Sequence, residues 1–146
     1  MKKQLLLLVM TLLPMVAWAD AVEIDGIYYN LVSKTKTAEV TSNPNKYYGN
    51  IEIPTSITYS GSNYVVTSIG KEAFYYCQNL TSVTIPNSIV FIASSAFSMS
   101  GLASVIIPNS VTSIGVCAFA NCTKLTSVSL PNSITSIEQG AFSGCI

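Results

Sequence analysis

The sequence predicts a β-rich solenoid: an array of units of about 23 residues with a parallel strand ladder, short helical turns and an N-terminal β-hairpin cap. Three observations predict it. A phrase recurs along the second half, as VTSIGKEAFYYCQNLTSVTIPNS, IVFIASSAFSMSGLASVIIPNS, VTSIGVCAFANCTKLTSVSLPNS and a shorter ITSIEQGAFSGCI. An Ala-Phe pair returns at Phe74, Phe97, Phe119 and Phe142, at steps of 23, 22 and 23. Pro86, Pro108 and Pro131 keep the same step. Units this short cannot bury an apolar face alone, so they must stack.

The first 19 residues read as a secretory signal peptide rather than as fold. Lys2 and Lys3 form a basic start, Leu5 to Val16 is an apolar run, and Ala17-Trp18-Ala19 is a small-x-small cleavage site. The alternative, a membrane span, needs about 20 apolar residues, and this run is shorter and meets Asp20. No integral span is therefore expected after cleavage, and export to a secreted or cell-surface location is.

Residues 20–47 are expected to form the N-terminal cap. IYYNLVS and TAEVT flank Lys34-Thr35-Lys36 as a hairpin candidate. The solenoid is assigned to residues 48–146. Its first unit is worn: Tyr48-Gly49-Asn50-Ile51-Glu52-Ile53-Pro54 aligns with LTSVTIP, with Tyr48 in the first Leu slot. An insertion follows, reading as two strands around Ser60-Gly61-Ser62-Asn63.

In the regular units, Leu80, Val83 and Ile85 should point inward, as should Leu102, Val105 and Ile107, and Leu125, Val128 and Leu130. Pro ends each strand because it cannot donate to the ladder. Val66 and Ile69 are also spaced to point in. Gly70 and Gly115 suit a turn of positive φ, although Ala93 and Glu138 take the same slot. KEAFYYC reads as a tight helical turn that buries its Phe, and the Phe column is the expected spine of the core. The array is expected to be C-terminally incomplete, because the next strand does not begin after Cys145.

The phrase I-G-x-x-A-F-x-x-C-x-x-L-x-x-V-x-I-P, whole at Ile69 to Pro86 and nearly whole at Ile114 to Pro131, resembles the BspA-type leucine-rich repeat family of bacterial surface proteins. The second unit departs from it, with Ala93 for Gly, Ser100 for Cys and one residue missing before Gly101. The resemblance covers about Tyr48 to Ile146. It implies secreted or surface-displayed proteins, some of them adhesins, and no catalytic residues.

Composition narrows the function classes. The chain has no His and no Arg, and cleavage after Ala19 would leave five Lys against seven acids. That leaves no basic footprint for nucleic acid. Without His the commonest general base and metal ligand are missing, and no phosphate loop or nucleophile elbow is present. The chain is expected not to be an enzyme, and no cofactor, metal or catalytic residue is assigned. Cys77, Cys122 and Cys145 share one repeat position and Cys117 another. The column reads as small buried hydrophobes, with a disulfide between adjacent units as the alternative. Asn79 and Asn121 begin glycosylation sequons that read as by-products of the repeat at buried or tightly turned positions.

The expected function is a non-catalytic, protein-binding, adhesin-like module. Its candidate face is the outward side of the strands: Ser82, Thr84, Ser104, Ile106, Ser127 and Ser129. The expected partner is an extracellular or cell-surface protein, of a host matrix or another bacterium. Two alternatives stand. One is glycan binding through the tyrosines Tyr28, Tyr29, Tyr47, Tyr48, Tyr59, Tyr64, Tyr75 and Tyr76. The other is a structural spacer in a longer surface protein.

Overall fold

The computed structural model describes residues 20–145. The signal-peptide reading lies outside them. Twelve strands, all short, follow in chain order: β1 (Val22–Ile24), β2 (Ile27–Val32), β3 (Thr37–Thr41), β4 (Gly49–Glu52), β5 (Ser56–Tyr59), β6 (Ser62–Ile69), β7 (Leu80–Thr84), β8 (Phe91–Ile92), β9 (Ser104–Ile106), β10 (Ser113–Ile114), β11 (Ser127–Ser129) and β12 (Ser136–Ile137). Among the described residues no helix is long and apolar enough to cross a membrane.

Three tight turns set up the N-terminal strands. Asp25-Gly26 (φ 51° and 81°) joins β1 to β2, and Ser60-Gly61 (φ 47° and 75°) joins β5 to β6. Positive φ at both central residues is what a two-residue hairpin requires. Between them, β2 and β3 pair antiparallel around Lys34-Thr35-Lys36, as the sequence predicts. β3 then pairs parallel with β6, which continues through β8 and β10 to β12. The N-terminal strands therefore extend one long ladder on the back of the array.

The front strands come from LTSVTIP and its equivalents in the other units, and here the expected single ladder is broken. β4 pairs with β7 and β9 with β11, both parallel, but β7 and β9 belong to separate sheets. The cause lies in the missing residue before Gly101. The shortened chain crosses directly over the unit below, with Gly101 N–H donating to the Cys77 carbonyl at 2.9 Å. A side chain at Gly101 would run into the backbone carbonyls of Gln78 and Leu80. Tyr48 is also misplaced by the sequence alignment. Gly49 faces Leu80, a bulge follows, and Tyr48 turns outward at 75% exposure.

The third side holds the largest departure. The AF segments are not helical turns but runs of three overlapping reverse turns. Within the first unit, Ala73, Tyr75 and Cys77 donate to the carbonyls of Gly70, Glu72 and Phe74. The alternate residues, Glu72, Phe74 and Tyr76, donate across to Ser94, Ala96 and Ser98 of the next unit. The next two steps repeat this, with Ser95, Phe97 and Met99, then Cys117, Phe119 and Asn121 as donors. A helical turn would consume these N–H groups within the unit and leave nothing to bond the stack. The turns bend because residues at two repeat positions take left-handed φ: Glu72, Ser95 and Cys117, and Tyr76, Met99 and Asn121. The last unit has Gly140 and Gly144 at these positions.

Gly70 and Gly115 are not among the positive-φ glycines. They are needed for clearance. A Cβ on Gly115 would lie 2.7 Å from Ser94 N, and one on Gly70 2.8 Å from the Val40 carbonyl. Ala93 and Glu138 sit one rung further along, so side-chain-bearing residues alternate with glycine in this column.

The core runs along the axis. Phe74, Phe97 and Phe119 are fully buried and Phe142 half-buried, with ring centroids 4.8, 5.0 and 5.2 Å apart and planes within 5° of parallel. Tyr47 closes the N-terminal end of this stack, 4.6 Å from Phe74. Its hydroxyl accepts from Tyr28 N–H at 2.9 Å and donates to the Thr41 carbonyl at 2.7 Å. Burial pushes the Tyr47 phenol well above the usual tyrosine range. Burial, with a contribution from the Asp25 charge, raises Tyr29 to about 12.

Candidate binding surface

The six residues singled out on the front strands are all exposed. Strand alternation explains it, since Val83 and Val105 between them are buried. Ser104 lies directly across from Ser127, and Ile106 across from Ser129. Ser82 and Thr84 lie on the other sheet, so the face spans two sheets rather than one. On that other sheet Thr81 and Ser82 both donate to Asn50 Oδ1, at 2.6 and 2.9 Å. Leu125 is buried and Val128 half-buried as expected, but Leu130 is 44% exposed because, among the described residues, no strand stacks beyond β11 on that side.

The front face continues over its edge into a groove that the sequence reading missed. Asn87, Asn109 and Asn132, each following the repeat proline, are exposed and line a cavity of about 490 Å³ together with Ile106 and Leu130. The signal was present: P-N-S repeats as faithfully as A-F. An amide at an exposed repeat position is a ladder of hydrogen-bonding groups, and Ile106, at 73% exposure, is the apolar point beside it.

The tyrosine group divides. Tyr29, Tyr47 and Tyr64 are core residues, and no ligand can reach them. Tyr48, Tyr59, Tyr75 and Tyr76 are exposed. Asn79 and Asn121 are exposed as well, and both sit in turns, Asn121 at φ 55°, so of the two expected settings it is the tight turn that they occupy.

All four cysteines are free. Cys122 Sγ donates to the Phe97 carbonyl at 3.0 Å and lies 3.4 Å from Ser100 Oγ, and Cys145 donates to the Phe119 carbonyl at 3.2 Å. Burial raises the thiols of Cys77 and Cys122. They are packed and hydrogen-bonded where they stand, as the small-hydrophobe reading expects.

The described residues hold no group of three or more His, Cys, Asp or Glu able to bind a metal ion. What recurs from unit to unit is hydroxyl, amide and aliphatic surface on a rigid stack. Residues 41–146 match the BspA type leucine rich repeat region, in six copies. The chain belongs to that family. Among solved structures, a leucine-rich repeat protein from Bacteroides capillosus ATCC 29799 is 26% identical, with a TM-score of 0.68, covering 81% of this chain and 87% of that one. One from Bacteroides ovatus ATCC 8483 is 28% identical with a TM-score of 0.46, covering 85% of this chain and 45% of that one. The pneumococcal vaccine antigen PcpA is 21% identical with a TM-score of 0.60, and the match covers 86% of this chain and 42% of PcpA. The leucine-rich repeat chain thus spans less than half the length of two of these relatives. No curated protein matches it.

Proposed function

We propose that this leucine-rich repeat chain is a non-catalytic secreted or cell-surface module that binds another protein through its front face. The observation that carries the reading is the surface formed by Ser104, Ile106, Ser127 and Ser129 with the asparagine groove beside it. It is rigid, uncharged and regularly spaced, with an apolar centre at Ile106 and Leu130 and a rim of amides. An interface of this composition, aliphatic at the middle and hydrogen-bonding at the edge, suits a protein partner. Ser82, Thr84 and Asn50 supply the same chemistry on the other sheet. Export is supported by the signal-peptide pattern of residues 1–19 and by the BspA-type repeats. A cap role for residues 20–47 is supported by the burial of Tyr29, Val40 and Tyr47 against the first rung.

The test is surface plasmon resonance of the purified chain against extracellular-matrix proteins. Ser104→Arg combined with Ser127→Arg puts two bulky charges on opposed strand positions and should weaken binding about tenfold or more without unfolding the array. Lys71→Ala, on the turn side at 74% exposure, should leave it unchanged. Raising salt should change affinity little, since few charges are present to be screened. Binding abolished by salt, or indifferent to the double variant, would remove the front face from the reading. An intact fold with no protein ligand would favour the spacer.

A further inference from the structure

A second surface lies on the opposite edge of the front strands, where the AF turns run into the next strand. A cavity of about 520 Å³ and another of about 340 Å³ share Tyr76, Gln78 and Asn79. The smaller adds Lys46 and Tyr48, and the larger adds Lys124 and Asn121. Two aromatic side chains stand exposed along this edge, Tyr48 at 75% and Tyr76 at 49%. Between and beyond them are amides. No carboxylate lines either cavity, while two of the five lysines among the described residues do. Lys46 is positioned rather than free: its ammonium donates to the Tyr75 carbonyl at 3.1 Å and lies 5.7 Å from the Tyr75 ring centre.

We infer that this groove is a binding site for an acidic oligosaccharide. Exposed aromatic faces offer an apolar platform of the size of a sugar ring, with hydroxyls at hand for polar edges. Amide side chains donate and accept at once, as the hydroxyls of a sugar do. Lysines with no carboxylate beside them select ligands that carry one, or a sulfate, over neutral ones. The protein face proposed above has amides but neither an aromatic nor a lysine in its groove, so the two sites are separate.

Tyr76 supplies the decisive substitution. Its φ is 59°, a left-handed conformation that bulky residues avoid, and the last unit has Gly144 at the same repeat position. Tyr76→Gly therefore removes the aromatic platform while suiting the backbone. Its melting temperature should equal or exceed that of the parent chain. Isothermal titration calorimetry of the purified chain with hyaluronan oligosaccharides should show binding, and Tyr76→Gly should weaken it about tenfold. Lys124→Gln should weaken it as well, and added salt should do the same. The Ser104→Arg, Ser127→Arg variant should bind the sugar as the parent does, which separates this site from the protein-binding face. Absence of binding to hyaluronan and heparin oligosaccharides, undiminished binding by Tyr76→Gly, or equal binding of neutral chito-oligosaccharides would overturn the inference.

Discussion

Phe119 lies between Phe97 and Phe142, at 5.0 and 5.2 Å, and is fully buried. Removing it takes away the contacts of both neighbours at once and leaves a cavity that the flanking rungs, tied by backbone bonds, cannot close. Phe119→Ala should therefore cost about 3–5 kcal/mol. Ser127, exposed on β11, should lose less than about 0.5 kcal/mol on change to Ala. Urea titration of the two variants checks the assignment, and equal effects would mean that inward and outward positions had been confused. Serines are not uniform either. Ser110 and Ser133 donate to the Ile89 and Val111 carbonyls of the preceding unit, whereas the Oγ of half-buried Ser88, in the unit that follows the β5–β6 insertion, is shielded and has no partner among the described residues.

The element that defines this array is the run of turns, not the strand. Three inter-unit bonds per step hold each run to the next, while β8, β10 and β12 are only two residues long. Forming those bonds requires left-handed φ at residues that carry side chains, at a cost of about 1–2 kcal/mol each. Ser95 (φ 55°) is the cleanest case, since its N–H bond to Val116 survives any substitution except proline. Ser95→Gly relieves the strain but loses some of that gain to greater unfolded-chain entropy. It should raise stability by up to about 1 kcal/mol. Ser95→Val, β-branched at positive φ, should lower it by about 1–3 kcal/mol. Thermal unfolding of both distinguishes this turn from a helical one, in which Gly rather than Val would be the damaging residue.

At the scale of the whole molecule, stability should vary along the stack. The amide N–H groups of Phe74, Phe97 and Phe119 bond to the following unit at 2.7 Å. In the last set of turns the equivalent N–H groups, those of Gly140, Phe142 and Gly144, make no such bond among the described residues. Val128 and Phe142 are half-buried, Leu130 and Ile137 exposed. A unit with one neighbour opens more readily than one with two. Hydrogen exchange should be slowest between Phe74 and Ile114 and distinctly faster from Ser136 to Cys145. Uniform protection along residues 22–145 would contradict this and would mean that the array unfolds as a single cooperative block.

The period, the Phe spine, the inward Leu, Val and Ile positions other than Leu130, both predicted hairpins and the exposure of Ser82, Thr84, Ser104, Ile106, Ser127 and Ser129 were all legible in the amino-acid sequence. Each follows from short-range rules, repeat spacing and strand alternation, that need no knowledge of the neighbouring unit. The break between β7 and β9, the clearance role of Gly70 and Gly115, the burial of Tyr29, Tyr47 and Tyr64, and the replacement of helical turns by cross-bonded reverse turns were not. Each of these depends on what lies one rung away. Where a backbone N–H finds its acceptor, whether inside its unit or on the next, is decided by stacking, and only the tertiary structure holds that information.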